Sequence, residues 1–143
     1  SNSIVLGNGS ITKVSTSGAI VTTSDINAKH LKGNSGALSI AASFGAGTSP
    51  SGLTVTGTDM SGIVSLTTGS SPSVNSVLAT ITYNTAYATA PIVVITPANA
   101  ATASLTAGQA VWVDISTTGF TINTNATAVV SSTAYKWNYV VIQ

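Results

Sequence analysis

Glu and Arg do not occur in this chain, and the other strong helix formers Gln and Leu are scarce. A helix facing water relies on long side chains of that kind along its outer stripe, so the residues that remain do not build a helical layer. Thr, Val, Ile, Ser and Gly dominate instead, and the branched types among them suit strands. Strand signals recur at short intervals. Leu53-Thr54-Val55-Thr56 alternates and stops at Gly57, and Ile63-Val64-Ser65-Leu66 lies between Gly62 and Gly69. Val77, Ala79, Ile81 and Tyr83 share one parity, with Leu78, Thr80 and Thr82 on the other. Pro91 and Pro97 bracket the apolar run Ile92-Val93-Val94-Ile95. Val111, Val113 and Ile115 alternate with Trp112 and Asp114, and Phe120 and Ile122 follow Gly119. Tyr135, Trp137, Tyr139 and Val141 alternate with Lys136, Asn138, Val140 and Ile142.

Seven short strands with Gly, Pro and Ser turns predict an all-β domain, an antiparallel β-sandwich or jelly roll, over residues 50–143. Val77, Ile81, Val93, Val113, Ile115 and Val141 are its expected core. Residues 1–49 read differently. Their apolar pieces are short, among them Ile11, Val14, Ile20, Val21, Ile26, Leu38 and Ile40. They fit a short β-rich shaft buried only between several chains, or strands completing the sandwich. The run from Phe44 to Gly52 reads as the linker. A homotrimer would bury the small apolar faces and cover exposed strand edges.

Composition narrows the chemistry. Thr, Ser, Ala and Gly number 23, 21, 19 and 13 of 143 residues. The charged residues are Lys13, Lys29, Lys32, Lys136, Asp25, Asp59 and Asp114, and His30 is the one histidine. Without Cys there is no disulfide, thiolate nucleophile or Cys-held metal. A net charge of +1 without Arg gives no footprint for nucleic acid. No run of about 18 apolar residues exists, so no inserted membrane helix is expected. Nor do the opening residues show the basic and apolar regions of a signal peptide.

The stretch Thr56-Gly57-Thr58-Asp59-Met60-Ser61-Gly62-Ile63-Val64-Ser65-Leu66-Thr67-Thr68-Gly69 resembles the opening of head domains at the distal ends of bacteriophage fibres. The resemblance continues through Ala79-Thr80-Ile81-Thr82-Tyr83, Ala86-Tyr87 and the run from Ala90 to Pro97. It ends with Thr118-Gly119-Phe120-Thr121-Ile122 and the run from Trp137 to Ile142, covering about the last two-thirds of the chain. It implies a β-sandwich head, usually homotrimeric, on a virion fibre, and no catalytic set.

Asp25, His30 and any Ser can be written as a triad, but no Gly-x-Ser-x-Gly elbow is present, and a polar surface loop accounts for the pair. Three copies of His30 could also meet on a trimer axis around an ion. Asp59 reads as a turn acceptor bonding the backbone two residues on. Too few carboxylates are present for a calcium site or a glycosidase pair, so no metal, no cofactor and no enzyme activity are expected. The sequons at Asn8 and Asn125 are expected by chance at this Ser and Thr content, and matter only in a eukaryotic secretory route.

Aromatic side chains are the better binding candidates, because their flat faces stack on sugar C–H surfaces. Trp112 stands on the opposite parity from Val111 and Val113, outside the expected core. Loops carry recognition on rigid β scaffolds, so Trp112, Tyr87, Asn123 and Asn125 form the expected ligand site. The leading expectation is a non-enzymatic fibre head on the virion surface that adheres to a bacterial surface glycan or protein. It would be anchored through other fibre, baseplate or capsid proteins. A capsid decoration fibre and a carbohydrate-binding module of a secreted bacterial protein are the alternatives.

Overall fold

The computed structural model describes residues 36–143, together with Asp25 and Gly33. Among the described residues eight strands run in the order β1 (Ser39–Ala42), β2 (Ser51–Gly57), β3 (Ser61–Thr67), β4 (Val77–Thr82), β5 (Ile92–Pro97), β6 (Trp112–Ile115), β7 (Gly119–Asn123) and β8 (Ala134–Ile142). They form two four-stranded sheets, β1-β4-β7-β6 and β2-β3-β8-β5, and every pairing is antiparallel. The all-β sandwich expected from alternation is the fold. Only β2–β3 and β6–β7 are hairpins; the other successive strands change sheet.

Strand β8 shows why alternation was so readable. Tyr135, Trp137, Tyr139 and Val141 are buried, while their neighbours Lys136, Asn138, Val140 and Ile142 are exposed. Its aromatic face meets the first sheet through Phe120, whose ring centroid lies 5.6 Å from that of Tyr139. Leu78, Ile81 and Ile122 from the first sheet and Val64 and Leu66 from the second complete the centre. Each fully buried large apolar side chain contributes roughly 1.5–3 kcal/mol, so the aromatic layer and the aliphatic residues around it both stabilise the fold.

Three of the six expected core positions, Ile81, Val93 and Val141, are buried. Val77 and Val113 are half-buried and Ile115 is exposed. Val77 and Ile115 depart for local reasons. The β4–β7 register shifts between Val77 and Ala79, so Leu78 and Ala79 are both buried where strict alternation would bury one. Ile115 is the last residue of the edge strand β6 and is exposed there.

The sandwich also reaches N-terminally of residue 50. Ser39–Ala42 pairs with Thr82–Ala79 along β4, and Leu38 is buried in the core. The expected linker is pinned. Phe44–Ala46 makes a 3-10 turn with Ala46 fully buried, and Thr48 bridges Ser70. Gly47 allows this: it holds φ +81°, and a Cβ there would lie 2.4 Å from the Ser70 carbonyl oxygen. The shaft reading of the preceding residues, and the roles considered for His30, lie outside the described residues.

Hydroxyls do the work elsewhere given to larger polar groups. Thr68 Oγ1 donates to the Val130 carbonyl at 2.7 Å and accepts from Thr133 N–H at 3.0 Å. Thr124, fully buried, accepts from Ser76 N–H at 3.0 Å and donates to the Ser73 carbonyl at 2.8 Å. Among the described residues one short α-helix interrupts the β pattern, α1 (Ala100–Ala103). Asn99 caps it by accepting from Thr102 N–H, and Thr102 Oγ1 accepts from Lys136 N–H at 2.9 Å, fastening the turn to β8. The chain's poverty in long helix formers did not prevent one alanine-rich turn with a capping Asn.

Candidate functional site

The outer face of the first sheet carries Trp112, Asp114, Thr121, Thr80 and Thr82. Strand pairing aligns them: Asp114 stands opposite Thr121, which stands opposite Thr80 on its other side. One step along, Trp112 stands opposite Asn123, which in turn pairs with Val77. Trp112 is 49% exposed, and Asp114 on the same parity is exposed. Two residues along a strand are about 6.8 Å apart, roughly the span of one sugar ring.

Beside this row lies a shallow cavity of about 170 Å³, lined by Thr80, Thr82, Asp114, Ser116, Thr118 and Thr121 among others, with Gly119 in its floor. A Cβ on Gly119 would lie 2.1 Å from the Ile81 carbonyl oxygen, so the floor here is bare backbone. The β6–β7 turn that forms one wall is closed by Ser116. Its hydroxyl donates to the Gly119 carbonyl at 3.0 Å and accepts from Thr118 N–H at 3.2 Å. The groove thus offers hydroxyl groups of either hydrogen-bonding sense and one carboxylate that only accepts when ionised, over a largely apolar lining that includes Ile81, Ile115 and Phe120, while Trp112 stands outside it on the same sheet face.

The four site residues expected from sequence are not assembled together. Trp112 is outward and half-exposed, as its parity implied. Asn123 is directly opposite it but 5% exposed, with Nδ2 donating to Thr121 Oγ1 at 3.0 Å. It positions the threonine of the row and is not an open loop donor. Asn125 is half-buried, and its Oδ1 accepts from Ala126 N–H at 2.9 Å. Tyr87 belongs to the other end of β6, where its N–H donates to the Thr117 carbonyl.

At that end Tyr87 joins a packing cluster. Its ring meets Tyr83 edge-on at 5.0 Å, and its hydroxyl donates to the Asp59 carbonyl at 3.0 Å. The Asp59 carboxylate accepts from Asn84 N–H at 2.8 Å and Thr85 N–H at 3.0 Å. The own-turn role expected of Asp59 is taken by Thr58, whose Oγ1 accepts from Met60 N–H. Asp59 instead ties the β2–β3 hairpin to the loop after β4. Burial, then the neighbouring Tyr87 and Asp59, push the Tyr83 hydroxyl up to about 12. Burial followed by Asp59 and Tyr87 does the same to Tyr139, and Tyr87 itself is raised by burial and then Asp59.

Sequence reasoning passed over Asp114, Thr80, Thr82 and Thr121 as ligand contacts. The signal available was parity, since Trp112 shares a face with Asp114 and Thr80 with Thr82. Which strands neighbour one another, and hence which outward residues meet, required the pairing. Among the described residues no group of three or more His, Cys, Asp or Glu could hold a metal ion. We found no match to this chain among protein-family models, curated proteins or solved structures.

Proposed function

We propose that this chain is a non-enzymatic adhesive head that binds a glycan of a bacterial surface across the outer face of its first sheet. The observation that carries the reading is the half-exposed Trp112 on one sheet face with the row Asp114, Thr121 and Thr80, which lines a shallow groove together with Gly119. An indole face supplies apolar contact for a sugar's C–H surface, while the carboxylate and hydroxyls bond its hydroxyl groups. The groove is shallow and open, which suits one or two residues of a long chain more than an enclosed small molecule.

The resemblance to fibre heads supplies the setting, a homotrimer carried on the virion surface by other fibre, baseplate or capsid proteins. Shallow sites of this kind bind weakly one at a time, and repetition about an axis converts weak contacts into firm attachment. Binding to arrayed bacterial surface polysaccharides tests the reading. Trp112→Ala and Asp114→Asn, both at exposed positions, are expected to lower binding at least tenfold each with the melting temperature unchanged. Full binding by both variants would refute the assignment of this face.

A further inference from the structure

Strand β5 edges the second sheet and β6 edges the first, and the two lie against each other on one side of the sandwich. The segment that joins them passes through α1 and a 3-10 turn at Ala107–Gln109. Between that segment and strands β5 and β8 lies a cavity of about 230 Å³, lined by Ile95, Leu105, Val111, Thr102 and Trp137 among others. The segment is pinned on either side of it. Asn99 Nδ2 donates to the Ala134 carbonyl at 2.9 Å, and Gln109 Nε2 donates to the Ala128 carbonyl at 3.0 Å. The cavity is therefore built into the fold before anything enters it. Two polar groups in its apolar lining still have a hydrogen to give. Thr102 is 3% exposed, and its Oγ1 accepts from Lys136 N–H at 2.9 Å but donates to none of the described residues. Trp137 is 1% exposed, and its indole N–H likewise has no acceptor among them, although buried indoles usually find one. Tyr83 Oη is the one described side-chain atom both enclosed and unpaired, so the Trp137 N–H keeps access to open space, and the cavity is space that Trp137 lines.

We infer that this cavity receives the acetamido group of an N-acetylated sugar, whose carbonyl oxygen accepts from Thr102 Oγ1 and Trp137 Nε1. The inference rests on the glycan reading for the source of the group, while the chemistry of the cavity stands apart from it. Two unspent donors select an acceptor, and a carbonyl oxygen has two lone pairs to meet them. A carboxylate is excluded, because the lining holds no cation and an unpaired charge is costly to bury. A sugar hydroxyl is disfavoured, because its own hydrogen would be left against Ile95, Leu105 and Val111 without an acceptor. The acetyl methyl suits those same side chains. An amide oxygen is a stronger acceptor than an ester oxygen, which selects N-acetyl over O-acetyl. The amide N–H stays at the mouth, where Ala103 and Ala110 are exposed and water is at hand. Size agrees. A protein cavity of about 150 Å³ holds benzene, so this one takes an acetamido group together with an edge of its sugar ring.

Heteronuclear NMR of the full chain tests this, because the indole N–H signals of Trp137 and Trp112 report separately on the cavity and on the first sheet. The signal lost in Trp112→Phe assigns the pair. Methyl N-acetylglucosaminide is expected to move the Trp137 indole signal and the amides of Thr102 and Leu105, with a dissociation constant of about 1–10 mM, ordinary for one small neutral group. Methyl glucoside, which lacks the acetamido group, should bind at least tenfold more weakly. Thr102→Val should weaken the acetamido sugar at least tenfold, and Thr102→Ser keeps the hydroxyl and should bind as wild type. Thr102→Val also removes the partner of Lys136 N–H, so Ala110→Leu is the second variant. It fills the mouth from an exposed position and should abolish the Trp137 shift with the melting temperature unchanged. A Trp137 signal unmoved by about 50 mM acetamido sugar overturns the inference, as do equal shifts with methyl glucoside or full binding by Ala110→Leu. Movement of the Trp112 signal alone overturns it too and leaves the glycan face standing. A Trp137 response with no binding to arrayed polysaccharides would uphold the cavity's preference and refute the adhesive reading.

Discussion

Replacing Thr124 with Val isolates what a buried hydroxyl contributes to this fold. The two side chains have nearly the same shape, so the substitution leaves no cavity and changes only hydrogen bonding. Thr124 is fully buried just after β7. Its Oγ1 accepts from Ser76 N–H at 3.0 Å and donates to the Ser73 carbonyl at 2.8 Å, so it fastens the loop before β4. A hydrogen bond contributes about 1 kcal/mol net, and a buried group left without its partner costs about 1–3 kcal/mol. Ser73 and Ser76 are only half-buried, so water regains part of each bond. The expected loss is therefore about 2 kcal/mol, or roughly 6–8 °C in melting temperature for a domain of this size. Urea unfolding followed by the emission of the buried Trp137 measures it, with Trp112→Phe as background so that one indole reports. Protein concentration must be held constant, because association raises apparent stability. Thr124→Ser keeps both bonds and is expected to lose only the methyl contribution, about 1 kcal/mol. A loss below about 0.5 kcal/mol for Thr124→Val would refute the claim that threonine hydroxyls anchor the loops.

Alkaline pH should destabilise the domain through its tyrosines. Tyr83 and Tyr139 hold their protons up to about 12 in the folded chain against 10.0 when free, so folding retains protons that the unfolded chain releases. Their stabilising effect is complete below pH 10 and disappears as pH rises towards 12, and absorbance titration at 295 nm should show them ionising with unfolding. Gly119→Ala places a methyl against the Ile81 carbonyl and is expected to cost about 2–3 kcal/mol, read by thermal unfolding; a neutral result would mean that the β4–β7 pair has room to part.

Much of the sandwich was legible because a strand with one wet face must alternate. The pattern Tyr135, Trp137, Tyr139, Val141 against Lys136, Asn138, Val140, Ile142 allows one arrangement on a sheet, and β8 adopts it. Trp112 could be placed outside the core for the same reason. Strand β1 escaped notice because Ser39–Ala42 is short and small, and it becomes a strand by bonding along β4. The linker reading of Phe44–Gly52 failed because small residues serve flexible chains and tight backbone packing equally well, and Ala46 and Gly47 are used for the second.

Residue chemistry alone determined that this chain would be β-structured, nearly uncharged, and closed by threonine and aromatic side chains, since each follows from local propensity and period-two burial. Tertiary structure decided which strands are neighbours. Pairing β6 with β7 and β7 with β4 set Trp112, Asp114, Thr121 and Thr80 on one face and sent Tyr87 to another end. Pairing β5 with β8 set Ile92 beside Ile142 and Val94 beside Val140. Alternation states which way a side chain points, but its neighbours across strands come from residues as far apart as Thr80 and Asp114. Only the closing of those loops brings such residues together.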